Sequence, residues 1–127
     1  MESRIKEAVE LDVSGQCNCA QAIVCTYCDK AGIDRNTAYN MACAFGSGLA
    51  TGEGTCGALV GAGIVVGLVS KDRALARSRI RRIMNEFQAR NGATQCKMLK
   101  GAGTGRPLCS CEECIATSAE LLEEILD

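Results

Sequence analysis

Hydrophobic positions along the chain recur mostly at helical spacing. Over residues 3–12, Ile5, Val9 and Leu11 fall on one face of a short amphipathic helix. A second helical run covers 19–31 and stops at Gly32, a residue suited to a left-handed helix end. Asp34 stands where an N-cap belongs, ahead of a helix of roughly 35–45. Residues 46–54, Gly-Ser-Gly-Leu-Ala-Thr-Gly-Glu-Gly, read as a glycine-rich loop, and without Gly-Lys-Ser/Thr they are not a P-loop. Residues 56–69 are apolar, with Gly57, Gly61, Gly63 and Gly67 interleaved with Ala58 and Ala62. A buried strand competes here, but small residues four apart favour a buried helix in close contact with a neighbour. Four glycines cost that helix propensity.

Residues 71–90 form the clearest amphipathic helix. Ala76, Ile80, Ile83 and Phe87 point inward, while Arg73, Arg77, Arg79, Arg81 and Arg82 form a solvated face or a dock for an acidic partner or phosphate. Gly92 ends it. Thr94 can open a short helix over 95–100, and a second loop, 101–109, holds the only proline, Pro107. Ser110 and Glu113 have capping-box spacing before a final helix over 111–126. The expected fold is all-α: one domain over 1–127, a compact bundle of about five to seven helices around a glycine-rich buried central helix. A length of 127 residues supports one core and not two.

Composition narrows the function. A net charge of -1 argues against a nucleic-acid or anionic-membrane binder. Four aromatic residues and no Trp leave no stacking platform for bases. The longest apolar stretch, around Cys56–Val69, is too short to span a membrane. Met1–Glu7 is charged and lacks the apolar core of a signal peptide, so the expected location is the cytoplasm. There, clustered cysteines point to metal or redox chemistry before disulfides, and this chain has ten. It has no histidine, which excludes His-ligated haem, Cys-His zinc sites and His-based catalytic dyads.

Four cysteines share a setting. Asn18 precedes Cys19 with Gln21 three positions on, Thr55 precedes Cys56, Thr94 lies two before Cys96, and Ser110 precedes Cys111. Each thiol is expected in the first turn of a helix, where free N–H groups and the helix dipole favour a thiolate or an anionic centre. Cys109, Cys111 and Cys114 make a ligand-like CxCxxC cluster at a helix start. Cys25 and Cys28 form a CxxC on what reads as a continuous helix, and plain core packing is the expected role. Cys43, between Ala42 and Ala44, also reads as core, and Cys17 as a loop thiol or spare ligand.

Cys56-Gly57-Ala58-Leu59-Val60-Gly61 resembles the central CGAxxG motif of the C_GCAxxG_C_C family, described as putative redox-active proteins. Asn18-Cys19-Ala20-Gln21, Phe45-Gly46, Cys96-Lys97-Met98-Leu99 and Cys111 with its C-terminal helix are similar to the family's other elements. The resemblance implies that the four signature cysteines are Cys19, Cys56, Cys96 and Cys111, with six further cysteines in excess. It also implies electron-transfer chemistry, often in anaerobic bacteria or archaea. A similar domain accompanies haem in split-Soret cytochromes, where an iron–sulfur centre has been proposed.

Three expectations follow. In the first, Cys19, Cys56, Cys96 and Cys111 ligate an iron–sulfur cluster, with Cys109 and Cys114 as further candidate metal ligands. In the second, no metal is bound and Cys56 is the attacking thiolate, with a partner such as Cys19 resolving the mixed disulfide. In the third, four cysteines hold a structural zinc ion. The expected partner is a redox protein, with no nucleic acid and no membrane, and a homodimer is compatible with the sequence.

Overall fold

The computed structural model describes residues 1–127 and is helical, with no strand beyond one isolated bridge. The right-handed helices are α1 (Ile5–Val13), α2 (Cys19–Thr26), α3 (Cys28–Ala31), α4 (Arg35–Ala42), α5 (Gly57–Ser70), α6 (Arg73–Asn91), α7 (Cys96–Leu99) and α8 (Cys111–Leu126). Two of these, α3 and α7, are single turns, which leaves six longer helices. The residues that read as ambiguous between strand and helix, 56–69, are helical as α5. No helix is long and apolar enough to cross a membrane.

Helix α5 is central, touching α2, α3, α6 and α8, with its most extensive contact on α2. The glycines explain the closeness. A Cβ on Gly61 would lie 2.8 Å from the Ala20 carbonyl oxygen and 3.0 Å from Ile23 Cβ. A Cβ on Gly57 would press on Cys19 Sγ and lie 2.8 Å from the Phe45 carbonyl oxygen. The motif glycines therefore let two backbones approach where a methyl group would hold them apart. Gly67 has open space around it. Tyr27, Phe87, Ile23, Leu59, Ile83, Ile115 and Leu122 are the large, fully buried side chains of the surrounding core.

The helix read over 19–31 breaks at Tyr27, whose φ of -111° and ψ of 16° are not helical. Its ring is buried, and its hydroxyl donates to Glu123 Oε2 at 2.5 Å. Glu123 also accepts the Arg4 backbone N–H at 2.7 Å, while the Arg4 guanidinium donates to both Asp29 carboxylate oxygens and to the Thr26 carbonyl. One buried carboxylate thus joins the start of α1, the α2–α3 break and α8. The Arg4 pairing lowers the Asp29 carboxyl to about 2, while burial and then Glu123 raise the Tyr27 hydroxyl.

Asn18 begins one helix and closes another. Its side chain accepts the Gln21 N–H at 2.8 Å while Gln21 Oε1 accepts the Asn18 N–H, completing the capping box of α2. Asn18 Nδ2 also donates to the Cys43 carbonyl at 3.0 Å, satisfying an orphan acceptor at the end of α4. That helix ends at Ala42, three residues short of its expected length.

The expected loop at 46–54 begins as an ordered left-handed turn. Ser47, Gly48, Leu49 and Ala50 all have positive φ, between 53° and 66°. Each non-glycine residue there costs roughly 1–2 kcal/mol. Backbone bonds from Ala50, Gly52 and Gly54 to the carbonyls of Gly46, Ser47 and Gly48 hold the turn closed.

Two substitutions in one helix should separate in sign. Gly67→Ala is expected to stabilise the protein by about 0.5–1 kcal/mol, through lost chain entropy alone. Gly61→Ala is expected to destabilise it by about 1–3 kcal/mol, because Ala20 and Ile23 must move. Urea denaturation of both variants measures the difference.

Candidate thiol site

Four chain segments meet at the helix starts. The capping box of α2 fixes Cys19 as its first residue. The segments before α5 and α7 pair with each other through the bridge between Thr55 and Gln95. The Cys56 N–H donates to the Thr94 carbonyl at 2.8 Å, and the Cys96 N–H to the Gly54 carbonyl at 2.9 Å. This pairing sets Cys56 and Cys96 diagonally across the bridge, both on the wall of one cavity. The Ser110–Glu113 capping box fixes Cys111 at the start of α8. The Leu108 N–H bonds the Leu99 carbonyl at 2.8 Å, tying the loop before α8 to the end of α7.

The result is a cavity of about 90 Å³ lined by Cys19, Cys56, Cys96, Cys109, Cys111 and Cys114, together with Asp12, Asn18, Ser47, Gly57, Leu99 and Lys100. Every sequence-derived candidate lies on its wall. Cys56, Cys96, Cys109 and Cys114 are buried, Cys19 is half-buried, and Cys111 is exposed. No three Cys, Asp or Glu side chains are grouped so as to hold a single metal ion.

Two caps differ from expectation. Cys56 itself occupies the N-cap position of α5, and Gln95 that of α7; neither end has a side-chain cap, and Thr55 and Thr94 each fall one position too early to supply one. At α5 the amides of Ala58 and Leu59 favour the Cys56 thiolate.

The thiols differ in acidity according to their neighbours. Cys56 is lowered to about 7, chiefly because the Cys114 S–H donates to its sulfur. Burial opposes this, and the Ala58 and Leu59 amides and Lys100 support it. Cys114 is correspondingly raised, by that same bond and by burial, and it also hydrogen-bonds Cys109. Burial raises Cys19 despite N–H groups of Ser47 and Ala20 at its sulfur, and raises Cys111 despite Lys100. Helix starts were expected to favour the thiolate at each signature cysteine. At Cys19 and Cys111 desolvation outweighs the helix terminus.

Sequence reasoning missed Lys100, Ser47 and the contact between Cys56 and Cys114. Lys100 stands four residues after Cys96, one helical turn away, and that spacing was available as a signal. Ser47 had none, because its amide reaches Cys19 only through the left-handed turn. The remaining cysteines lie off the cavity. Cys25 is buried, Cys28 is half-buried beyond the break at Tyr27, and Cys17 is buried beside Cys25. Cys43 is exposed and not core, because α4 ends before it, and its sulfur accepts from Gln21 Nε2 at 3.3 Å.

No curated protein and no solved structure matches the chain. The family profile described as "Putative redox-active protein (C_GCAxxG_C_C)" matches residues 17–125, which include all four helix starts and every cysteine of the cavity. The chain therefore belongs to the C_GCAxxG_C_C family of putative redox-active proteins.

Proposed function

We propose that the six-cysteine cavity holds an iron–sulfur cluster and that the protein exchanges electrons with a redox partner protein. The observation that supports this reading is the convergence of Cys19, Cys56, Cys96 and Cys111, with Cys109 and Cys114, on one small cavity. Thiolates are soft donors of the kind that bind such clusters. Such a cluster is a body of several atoms whose ligands are spread around it, and the six cysteines are spread along the lining of the cavity. A single zinc ion needs four sulfurs at about 2.3 Å from one point.

When bound, the cluster supplies one-electron transfer. The chain's own residues would set its surroundings. Amides of Ser47 and Ala20 at Cys19, and of Ala58 and Leu59 at Cys56, would hold negative charge on the ligand sulfurs. Lys100 would offset part of that charge. Gly57 and Leu99 would close the inner wall against water, leaving Cys111 as the exposed edge where a partner approaches. The reading places the protein in a reducing cytoplasm, in the setting of an anaerobe.

A second reading rests on the Cys56 thiol, lowered to about 7 beside Cys114. As a thiol–disulfide oxidoreductase, the protein would attack a substrate disulfide with Cys56. The hydrogen-bonded Cys114 or Cys19, across Gly57, would resolve the mixed disulfide.

Protein purified without oxygen is expected to be brown and to contain iron and acid-labile sulfide, most of it lost in Cys96→Ser. Colourless protein that takes up no iron from ferrous iron and sulfide overturns the cluster proposal. In metal-free, reduced protein, alkylation of Cys56 should rise with pH through a midpoint near 7, as the thiolate forms. Cys114→Ala should move that midpoint upward and slow the reaction at neutral pH several-fold, read by peptide mass mapping.

A further inference from the structure

Helix α5 carries no polar side chain from Gly57 to Val69. A helix apolar on every face is expected to be covered all round. Helices α2, α3, α6 and α8 pack against most of it. One face stays open. Val60, Gly63, Ile64 and Gly67 fall within a sector of roughly 100° around the helix axis. Val60, Gly63 and Ile64 are half-buried and Gly67 is exposed. A Cβ on Gly67 would meet nothing within 4 Å. Helix α6 borders this face, since a Cβ on Gly63 would lie 3.6 Å from Ile80 Cδ1. Met84, one turn after Ile80, is also half-buried.

The border is charged. Residues 71–82 hold six basic side chains and one carboxylate, Asp72, which caps α6 by accepting the Leu75 N–H at 2.8 Å. The arginines of α6 divide by position. Arg79 donates to Ser70 Oγ at 2.9 Å. Arg82 and Arg90 line a cleft with Glu124, on the flank toward α8. Arg73, Arg77 and Arg81 recur every fourth residue along the opposite flank, beside the open face of α5. All three are exposed, and no carboxylate pairs with any of them. The surface is thus an apolar floor, recessed where Gly63 and Gly67 lack side chains, beside a basic rim.

We propose that this face docks an amphipathic helix of a partner protein, with small or aliphatic residues on its buried side and acidic residues along one edge. Carboxylates four residues apart on that helix repeat about every 6 Å, the spacing of the arginine row. The recess at Gly63 and Gly67 lets its backbone come close, as Gly57 and Gly61 do for α2. Apolar anchors in the groove supply affinity, and the rim charges set orientation. A second copy of the chain fits poorly. A two-fold contact doubles the same face, and neither its floor nor its rim holds a carboxylate, so six arginines would meet without a counter-charge. An anionic membrane fits poorly too, because large protruding apolar side chains enter a bilayer and this floor is recessed. Docking here does not depend on what the six-cysteine cavity holds, although Val60 stands one turn from Cys56 on the same helix.

The test uses the full chain purified without oxygen and a fluorescein-labelled synthetic helix of about 15 residues, with glutamates every fourth position beside an Ala-Leu stripe. A scrambled peptide of the same composition is the control. At low ionic strength the fluorescence anisotropy of the patterned peptide should rise with protein concentration, and the scrambled peptide should bind about tenfold more weakly. Arg77→Glu with Arg81→Glu should weaken binding about tenfold or more. Gly67→Leu, whose side chain enters open space, should weaken it several-fold with an unchanged circular dichroism spectrum. No binding, equal binding of the two peptides, or binding unchanged in both variants overturns the proposal. A dimer in sedimentation velocity that Gly67→Leu disperses also overturns it, making the occupant a second copy. So does co-sedimentation with phosphatidylserine vesicles that Arg77→Glu abolishes, making it a membrane.

Discussion

The close approach of α5 to α2 is the constraint on which the rest of the molecule depends. It is made where Gly57 faces Cys19 and Gly61 faces Ala20, so the packing contact and the thiol wall are one surface. A bulkier residue at Gly57 would separate the helices and displace Cys19 in the same motion. The CGAxxG run is thus a packing signature as much as a chemical one: its cysteine lines the cavity, its first glycine makes room for a second sulfur, and its last seats the helix. The aromatic-poor core is consistent with this, since backbones this close leave little room for rings.

Much of the architecture was legible because its causes are local. Small residues four apart along 56–69 marked a close-packed helix, and the Asn18–Gln21 and Ser110–Glu113 spacings marked two helix starts that form capping boxes. What escaped depends on distant partners. The break at Tyr27 accompanies a hydroxyl bond to Glu123, ninety-six positions along the chain. The setting of Cys56 and Cys96 depends on Thr55 meeting Gln95, a pairing with no sequence signal. The left-handed turn after Phe45 runs through Leu49 and Ala50, residues that rarely adopt positive φ and so read as ordinary loop.

Electrostatics at the cavity follows the same division. Helix starts supply N–H groups, and a sequence can reveal helix starts. Whether those groups prevail depends on how much water each sulfur loses, which only the fold decides. Cys56 is almost fully buried and still acidic, because Cys114 adds a hydrogen bond that no spacing rule announces. Cys19 and Cys111 have helix starts without such a donor, and burial prevails. Strain has a comparable role: the left-handed turn carries the Ser47 amide to the Cys19 sulfur, an arrangement of the kind that persists when surrounding bonds over-determine it.

Asn18 shows how narrow the choice of residue can become. Ser, Thr, Asp and Asn can all begin a helix, since each offers an oxygen to an exposed amide. Only Asn also offers an N–H pair, and here that second half terminates α4 at the Cys43 carbonyl. An aspartate, including one formed by slow loss of the side-chain amide, would keep the start of α2. It would set an oxygen against the Cys43 carbonyl and a negative charge beside Cys19. Chemical ageing at this one position would therefore leave the secondary structure begun by Asn18 in place while altering the environment of the sulfur next to it.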